Sequence, residues 1–321
     1  MSKNSSSTIS LEDLIAKYGD SSNTTWVEDK FSVWRHQQSG AAQGYAISEG
    51  FCIVWGNPLC EHSQYPEVVQ AFLDWCKTES YKPLWCCTNG VLEKLLCTEL
   101  EWRSVWCVQE DGLDPTKANP EGNKEVRKHI RSAQAKGCEI IEEDGEPPEE
   151  VKKEIDIVIK EWREGRRGVQ VHTTNVEPWR DFEHRRYFYA RDAEGKVVGF
   201  LFLAKIADGW AIKDSLQING APKNLTEWLI TSAIHSLAST DEHFLTFGPT
   251  PAEKLTPSSN INGTSVKFLS KTYSGIERTF LGNKRAFRDK FEVRGEPIFV
   301  CFPPHGLGRH GISALMKVLT D

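Results

Sequence analysis

A chain of 321 residues with a formal net charge of −6 and 39% hydrophobic residues has the make-up of a soluble globular protein, large enough for one big or two modest domains. No apolar run approaches the roughly 18–20 residues of a membrane span, and the polar start MSKNSSSTIS lacks the apolar core of a secretory leader, so a cytoplasmic protein without stable membrane insertion is expected. Nine cysteines, seven of them between Cys52 and Cys107, form no CxxC pair and find no histidine at zinc-ligand spacing; they read as reduced core thiols, and no metal is expected.

The Ser-rich start predicts disorder as far as LEDLIAKYG, a short amphipathic helix closed by Gly19. Strands are predicted around Trp26–Trp34 and Gly44–Trp55, followed by the turn GNPLC. YPEVVQAFLDWCKTES carries Val68, Phe72 and Trp75 at helical spacing, with Pro66 placed for a first turn. KPLWCCT reads as a buried strand, NGVLEKLLCTE as a short helix and WRSVWCVQE as an edge-leaning strand. Asp111–Asn123, rich in Pro, Gly, Asp and Asn, reads as a linker.

The second half repeats this grammar. KEVRKHIRSAQAKG predicts a helix ending at Gly137, and after an acidic loop EEVKKEIDIVIKEWREG predicts another, with Val151, Ile155, Val158, Ile159 and Trp162 in one stripe. RRYFYARD, KVVGFLFLAKI and WAIKDSLQI predict a strand meander joined by the tight turns AEGK and ADG. The loop NGAPKN, the helix LTEWLITSAIHSL and the strand HFLTFG follow. Meander, loop, helix, strand is the order of a GNAT acyltransferase unit. The expected fold is therefore α/β with mixed sheets, in two tandem GNAT-like units: 1–111, a linker at 112–123, and a catalytic unit at 124–321.

Lys124, Arg127, Lys128 and Arg131 stand at i, i+3, i+4 and i+7, on one face of their helix, with Val126, Ile130 and Ala133 on another. A second basic cluster, Lys284, Arg285, Arg288 and Lys290, lies in GNKRAFRDKF. On an acidic chain, two such clusters point to a polyanion held through its phosphates. A solvated helix face is the plainer alternative.

These segments resemble one known family. FRDKF (Phe287–Phe291) followed by RGEPIF is similar to the FK-x-KF…P-x-Y signature of the phosphatidylglycerol lysyltransferase C-terminal family. GNP at Gly56, the basic helix ending in Gly, WAIKDSLQINGAPKNLTEWLI and LTFGPTP resemble further motifs of that family in the same order, over roughly residues 43 to 302. The resemblance implies a tandem GNAT enzyme that takes an amino acid from a charged tRNA and passes it to an acceptor. In relatives the acceptor is a membrane lipid, ergosterol, or a second aminoacyl-tRNA that yields an arginine-containing cyclic dipeptide. The basic clusters would then meet tRNA through Lys124, Arg127, Lys128, Arg131, Lys284 and Arg288. Three positions depart from the pattern: Asn57 for an acidic residue, Arg288 for the first Lys of FK-x-KF, and Gln217 where an arginine often follows Asp214 and is linked to lipid acceptors.

An aminoacyl ester is already activated, so no cofactor, ATP or metal is needed; the protein must hold the ester, move a proton and stabilise an oxyanion. No G-x-S-x-G elbow is present, which favours direct transfer. Asp214, mid-strand before the loop, is the expected base or cation-binding carboxylate, with an ion pair to Lys213 or Arg186 as the structural alternative. Glu227, three residues after Asn224, suits either a capping box or the substrate amine. Lys290 is expected beside a phosphate or the oxyanion. Pro222 and the break after Gly220 weaken the coenzyme A reading of the NGAPKN loop. His172 and the Arg185–Arg186 pair are further candidates for the cleft. With Gln217 in place and no membrane anchor in view, the expected acceptor is a small molecule or amino acid, a second aminoacyl-tRNA, giving a cyclodipeptide. Transfer to ergosterol or another lipid is the alternative, and a non-catalytic RNA-binding module is a third reading.

Overall fold

The computed structural model describes residues 9–165, 176–261, 263, 266–267, 269–271, 273, 282–304 and 307–320. The helices are α1 (Leu11–Tyr18), α2 (Tyr65–Thr78), α3 (Gly90–Glu99), α4 (Lys124–Ala135), α5 (Glu149–Gly165), α6 (Leu225–Ser239), α7 (Gly282–Arg288) and α8 (Arg309–Thr320). The strands are β1 (Ser32–Arg35), β2 (Ala42–Ser48), β3 (Phe51–Trp55), β4 (Lys82–Thr88), β5 (Arg103–Leu113), β6 (Glu139–Asp144), β7 (Arg185–Arg191), β8 (Val197–Ile206), β9 (Gly209–Gln217), β10 (Leu245–Pro257) and β11 (Arg294–Phe302). All join one 11-stranded sheet in the order β1-β2-β3-β4-β11-β5-β10-β9-β8-β7-β6.

The predicted helices form where their apolar spacing put them. Ser10 accepts the Asp13 N–H to cap α1, Pro66 occupies the first turn of α2, and Asn123 caps α4 through the N–H groups of Glu125 and Val126. Three strand expectations need correction. WRSVWCVQE is not an edge: β5 lies between β11 and β10 and joins the two halves, because the chain returns at β11 to pair with it. The presumed acidic loop contains β6, whose Glu-rich run borders the sheet beside β7, where only one flank needs a partner. The first strand is confined to Ser32–Arg35, since Asn23–Thr25 makes a 3-10 turn that seats Trp26 in the core. The first eight residues and His172 lie outside the described residues.

Alternation along β7 sorts the helices onto two faces. Arg186 reaches Ser236 of α6, whereas Arg191 reaches Glu154 of α5. Gly199 of β8 lies under Leu225 and Leu229 of α6, while its neighbours Phe200 and Phe202 stack with Tyr187 on the α5 face. Helix α4 rests on α6, with Val126, Ile130 and Ala133 buried. The first half is likewise covered on both sides: one core joins Phe72, Trp85, Leu92 and Leu96 under α2 and α3, another joins Leu14, Phe31, Ile53, Ala314 and Val318 under α1 and α8. All nine cysteines are buried thiols within these cores or at their edges. No described helix is long and apolar enough to cross a membrane.

Candidate active site

Parallel β9 and β10 pair only at Trp210↔Leu245 and Ala211↔Thr246; beyond that β9 stays with β8 and β10 stays with β5. The sheet therefore opens into a wedge. β10 also bulges here, its register with β5 jumping from Thr246 to Pro249, with Gly248 at φ +78°. The bulge leaves the carbonyls of Phe247 and Gly248 without ladder partners, and Arg288 supplies them: its Nη2 donates to Phe247 O at 2.6 Å, and its Nη1 to Gly248 O at 3.0 Å and Asp111 Oδ2 at 2.9 Å. Arg288 was expected on tRNA. Its guanidinium is instead engaged inside the wedge, with the side chain 13% exposed. Phe291, packed on Phe247 and Phe287, anchors the same segment.

On the α6 side of the wedge, Glu227 is fully buried in the first turn of α6. Its Oε2 lies 2.8 Å from His129 Nδ1, and its Oε1 accepts from Lys290 Nζ at 3.0 Å. Lys290 also meets Glu125 of α4 at 3.1 Å, and Asn224 Nδ2 sits 3.2 Å from His129 Nδ1 and 3.3 Å from Nε2. Three elements distant in sequence thus converge on one carboxylate. The hydrogen bond that Lys290 donates to Glu227 and the nearby Glu125 raise the Lys290 pKa above its ordinary value, and Lys290 in turn lowers that of Glu125. A carboxylate holding one imidazole nitrogen fixes the tautomer and leaves the other nitrogen to exchange a proton. No capping box forms: Asn224 is left-handed at φ 58° with no side-chain cap, and Gln217 serves the loop instead, accepting the Thr226 N–H and donating to Pro222 O.

Asp214 does not join Glu227 and Lys290. A bulge at Lys213 pairs Asp214 with Phe202 but Ile212 with Leu203, turning Asp214 to the α5 face, opposite Glu227. Neither ion pair considered for it is formed, because Lys213 binds Glu28 at 3.3 Å and Arg186 binds Glu142 at 2.6 Å. Of the basic stripe, Lys124, Lys128 and Arg131 are exposed on α4; Arg127 is half-buried and donates to Glu121 O at 2.7 Å. Lys284 lies in α7, but its side chain is outside the described residues. Asn57 is a buried tie: its Nδ2 donates to Asp20 Oδ2 at 2.7 Å and its Oδ1 accepts the Asn89 N–H at 3.0 Å.

Two features escaped the sequence reading. His129 sits beside the buried Val126, Ile130 and Ala133 rather than on the charged stripe, and that position at the margin of the packed face was the available signal. The second is Glu110 of β5, which accepts from Ser21 at 2.8 Å and from Thr246. Burial and the Asp20 carboxylate push it up to about 7 against the pull of those hydroxyls and of Arg288. A cavity of about 440 Å³ beside Lys160, Arg163, Trp179 and Arg180 belongs to the α5 side and is remote from Glu227 in the layering.

The wedge between parallel β9 and β10, which a loop and α6 connect, with a second unit built edge to edge, defines a tandem GNAT-like fold. The phosphatidylglycerol lysyltransferase C-terminal family matches over residues 12–302, and the chain belongs to that family. Membership makes it an enzyme of the aminoacyl-tRNA-dependent transferase class. Among solved structures, L-PGS from Bacillus licheniformis shares 16% identity and a TM-score of 0.77, covering 97% of this chain and 96% of its own. The C-terminal domain of a putative lysylphosphatidylglycerol synthetase from Agrobacterium fabrum shares 16% identity and a TM-score of 0.78, covering 96% and 95%. FemX shares 10% identity and a TM-score of 0.51, covering 98% and 99%. At these identities the likeness is one of fold. No curated protein matches the sequence.

Proposed function

We propose that the chain transfers an aminoacyl group from charged tRNA to the hydroxyl of a lipid, ergosterol or another. The observation that carries the reading is the fully buried Glu227 holding His129 and Lys290 on its two oxygens beside the open wedge. The lipid acceptor is preferred to a second aminoacyl-tRNA because the family is described by transfer to phosphatidylglycerol, and the cyclodipeptide expectation draws no comparable support. Gln217, whose lack of charge weighed against a lipid, is engaged in closing the loop onto α6 and bears less on the acceptor than its position suggested.

In this reading the tRNA backbone lies along Lys124, Lys128 and Arg131, with Arg127 at its margin. The acceptor oxygen attacks the ester carbonyl carbon as its proton passes to His129 Nε2. Lys290 lies nearest the tetrahedral oxyanion. Collapse breaks the bond to the terminal ribose oxygen, which leaves with the proton from His129. Glu227 holds the imidazole and the ammonium in place throughout. Asp214, on the other face of β9, takes no part in these steps.

The test is incubation with charged tRNA and mixed lipids, followed by mass spectrometry of the lipid and polar fractions. An aminoacylated lipid is expected. A cyclic dipeptide with unmodified lipids would restore the second aminoacyl-tRNA as acceptor, and tRNA binding without any product would make the chain a binding module.

A further inference from the structure

Arg185 is a charged side chain that the transfer reaction leaves unexplained. It opens β7 and is 6% exposed, yet its guanidinium makes no hydrogen bond or ion pair among the described residues; its Nε is buried and unmatched. The contrast with the other arginines of this region is sharp. Arg186 holds Glu142 and Ser236, and Arg288 holds one carboxylate and two carbonyls. Of the acidic groups that Arg185 senses, Asp181 is engaged with His184 at 3.1 Å and Glu28 with Lys213 at 3.3 Å, while Glu12 of α1 acts from beyond ion-pair distance. Burial lowers the pKa of both Arg185 and Lys213.

A guanidinium taken out of water without a counter-ion destabilises the fold that contains it. Such a group is retained where a ligand completes it. The guanidinium carbon lies 5.9 Å from the centroid of the Phe202 ring, and the bulge in β9 brings Asp214 to that same face, paired with Phe202. This is the side of α5, opposite α6 and the exposed stripe of α4, so Arg185 does not share a phosphate with Lys128 and Arg131.

We propose that Arg185 is the anchor of an oxyanion-binding site on the α5 face of β7–β9, taking a phosphate or carboxylate group through its planar fork. The fork offers two parallel N–H donors to such a group, a geometry that lysine lacks. The site stands on its own and does not depend on which acceptor receives the aminoacyl group.

The experiment is thermal unfolding of the full chain and of Arg185→Met and Arg185→Lys, at fixed ionic strength. Chloride, inorganic phosphate and acetate are compared, together with vesicles of phosphatidylglycerol or phosphatidylcholine. In chloride, Arg185→Met is expected to melt about 3 °C or more above wild type, since it removes an uncompensated buried charge. Wild type is expected to gain Tm saturably with phosphate or acetate, Arg185→Lys to need about tenfold more anion, and Arg185→Met not to respond. A response to phosphatidylglycerol vesicles but not to free anions would assign the group to a lipid headgroup, and the reverse to a small anion. A lower Tm for Arg185→Met with no anion response in wild type would overturn the proposal, as would an equal response in both proteins. Should Arg185→Met fail to fold, saturable wild-type stabilisation weakened in Arg185→Lys sustains the site, and its absence removes it.

Discussion

The two halves of the sheet treat the same strand junction in opposite ways. In the first half β3 and β4 pair without interruption from Phe51↔Lys82 to Trp55↔Cys86. Just beyond, the carbonyls of Trp55, Gly56 and Asn57 accept from Trp26 Nε1, Trp85 Nε1 and Asn23 Nδ2 at 2.8, 2.8 and 2.9 Å. Trp26 lies directly on Gly44, where an added Cβ would come within 2.3 Å of the indole, so the space a substrate would need is filled. In the second half β9 and β10 part after two pairs, and an arginine holds the gap open. One junction is closed by indoles and serves as scaffold; the other is open and bordered by titratable groups.

Removing the plug should have the largest effect on stability. Trp26→Ala is expected to cost about 3–5 kcal/mol by chemical denaturation, with turnover per folded molecule nearly unchanged. A loss of turnover in the folded fraction would show that the first junction takes part in the chemistry. Arg288→Met comes next, at about 3 kcal/mol, because Asp111 at 2% exposure loses its cation and two bulge carbonyls lose their donor. Here activity should fall together with stability.

A smaller effect appears with pH. Glu110 has its folded-state pKa raised from 4.5 to about 7, so between these values the native state binds the extra proton. Stability therefore falls as pH rises through that window, by at most about 1.4 kcal/mol per unit, and Glu110→Gln should flatten the slope. A slope unchanged in Glu110→Gln would place the titration elsewhere. The smallest structural effect is expected on the basic stripe. Lys128→Glu with Arg131→Glu should leave stability within about 0.5 kcal/mol while weakening tRNA binding about tenfold or more and reducing the salt slope by about 1.5. An unaltered salt slope would leave α4 a solvated face.

What the sequence disclosed was local. Helix spacing, the meander turns and the basic stripe on α4 follow from side chains within a few residues of one another, and all appear in the structure. What it concealed depends on partners distant in the chain. β5 looked like an edge because β11, nearly 190 positions later, supplies its second neighbour. Asn224 and Glu227 have capping-box spacing, but His129 and Lys290 take the carboxylate. Asp214 shares the parity of Ile212 in the sequence, and a single bulge at Lys213 undoes that parity and carries it away from Glu227. Arg288 stood in a basic cluster, and only the bulge at Phe247–Gly248 explains why it turns inward.

The most direct test of chemistry at the open junction compares wild type with Glu227→Gln for single-turnover transfer from charged tRNA, with tRNA affinity measured in parallel. The expected result is a rate lowered at least about a hundredfold with affinity changed less than about threefold, since the variant releases both His129 and Lys290 while leaving the exposed stripe intact. Normal transfer by folded Glu227→Gln would contradict the account and place the reacting groups elsewhere in the molecule.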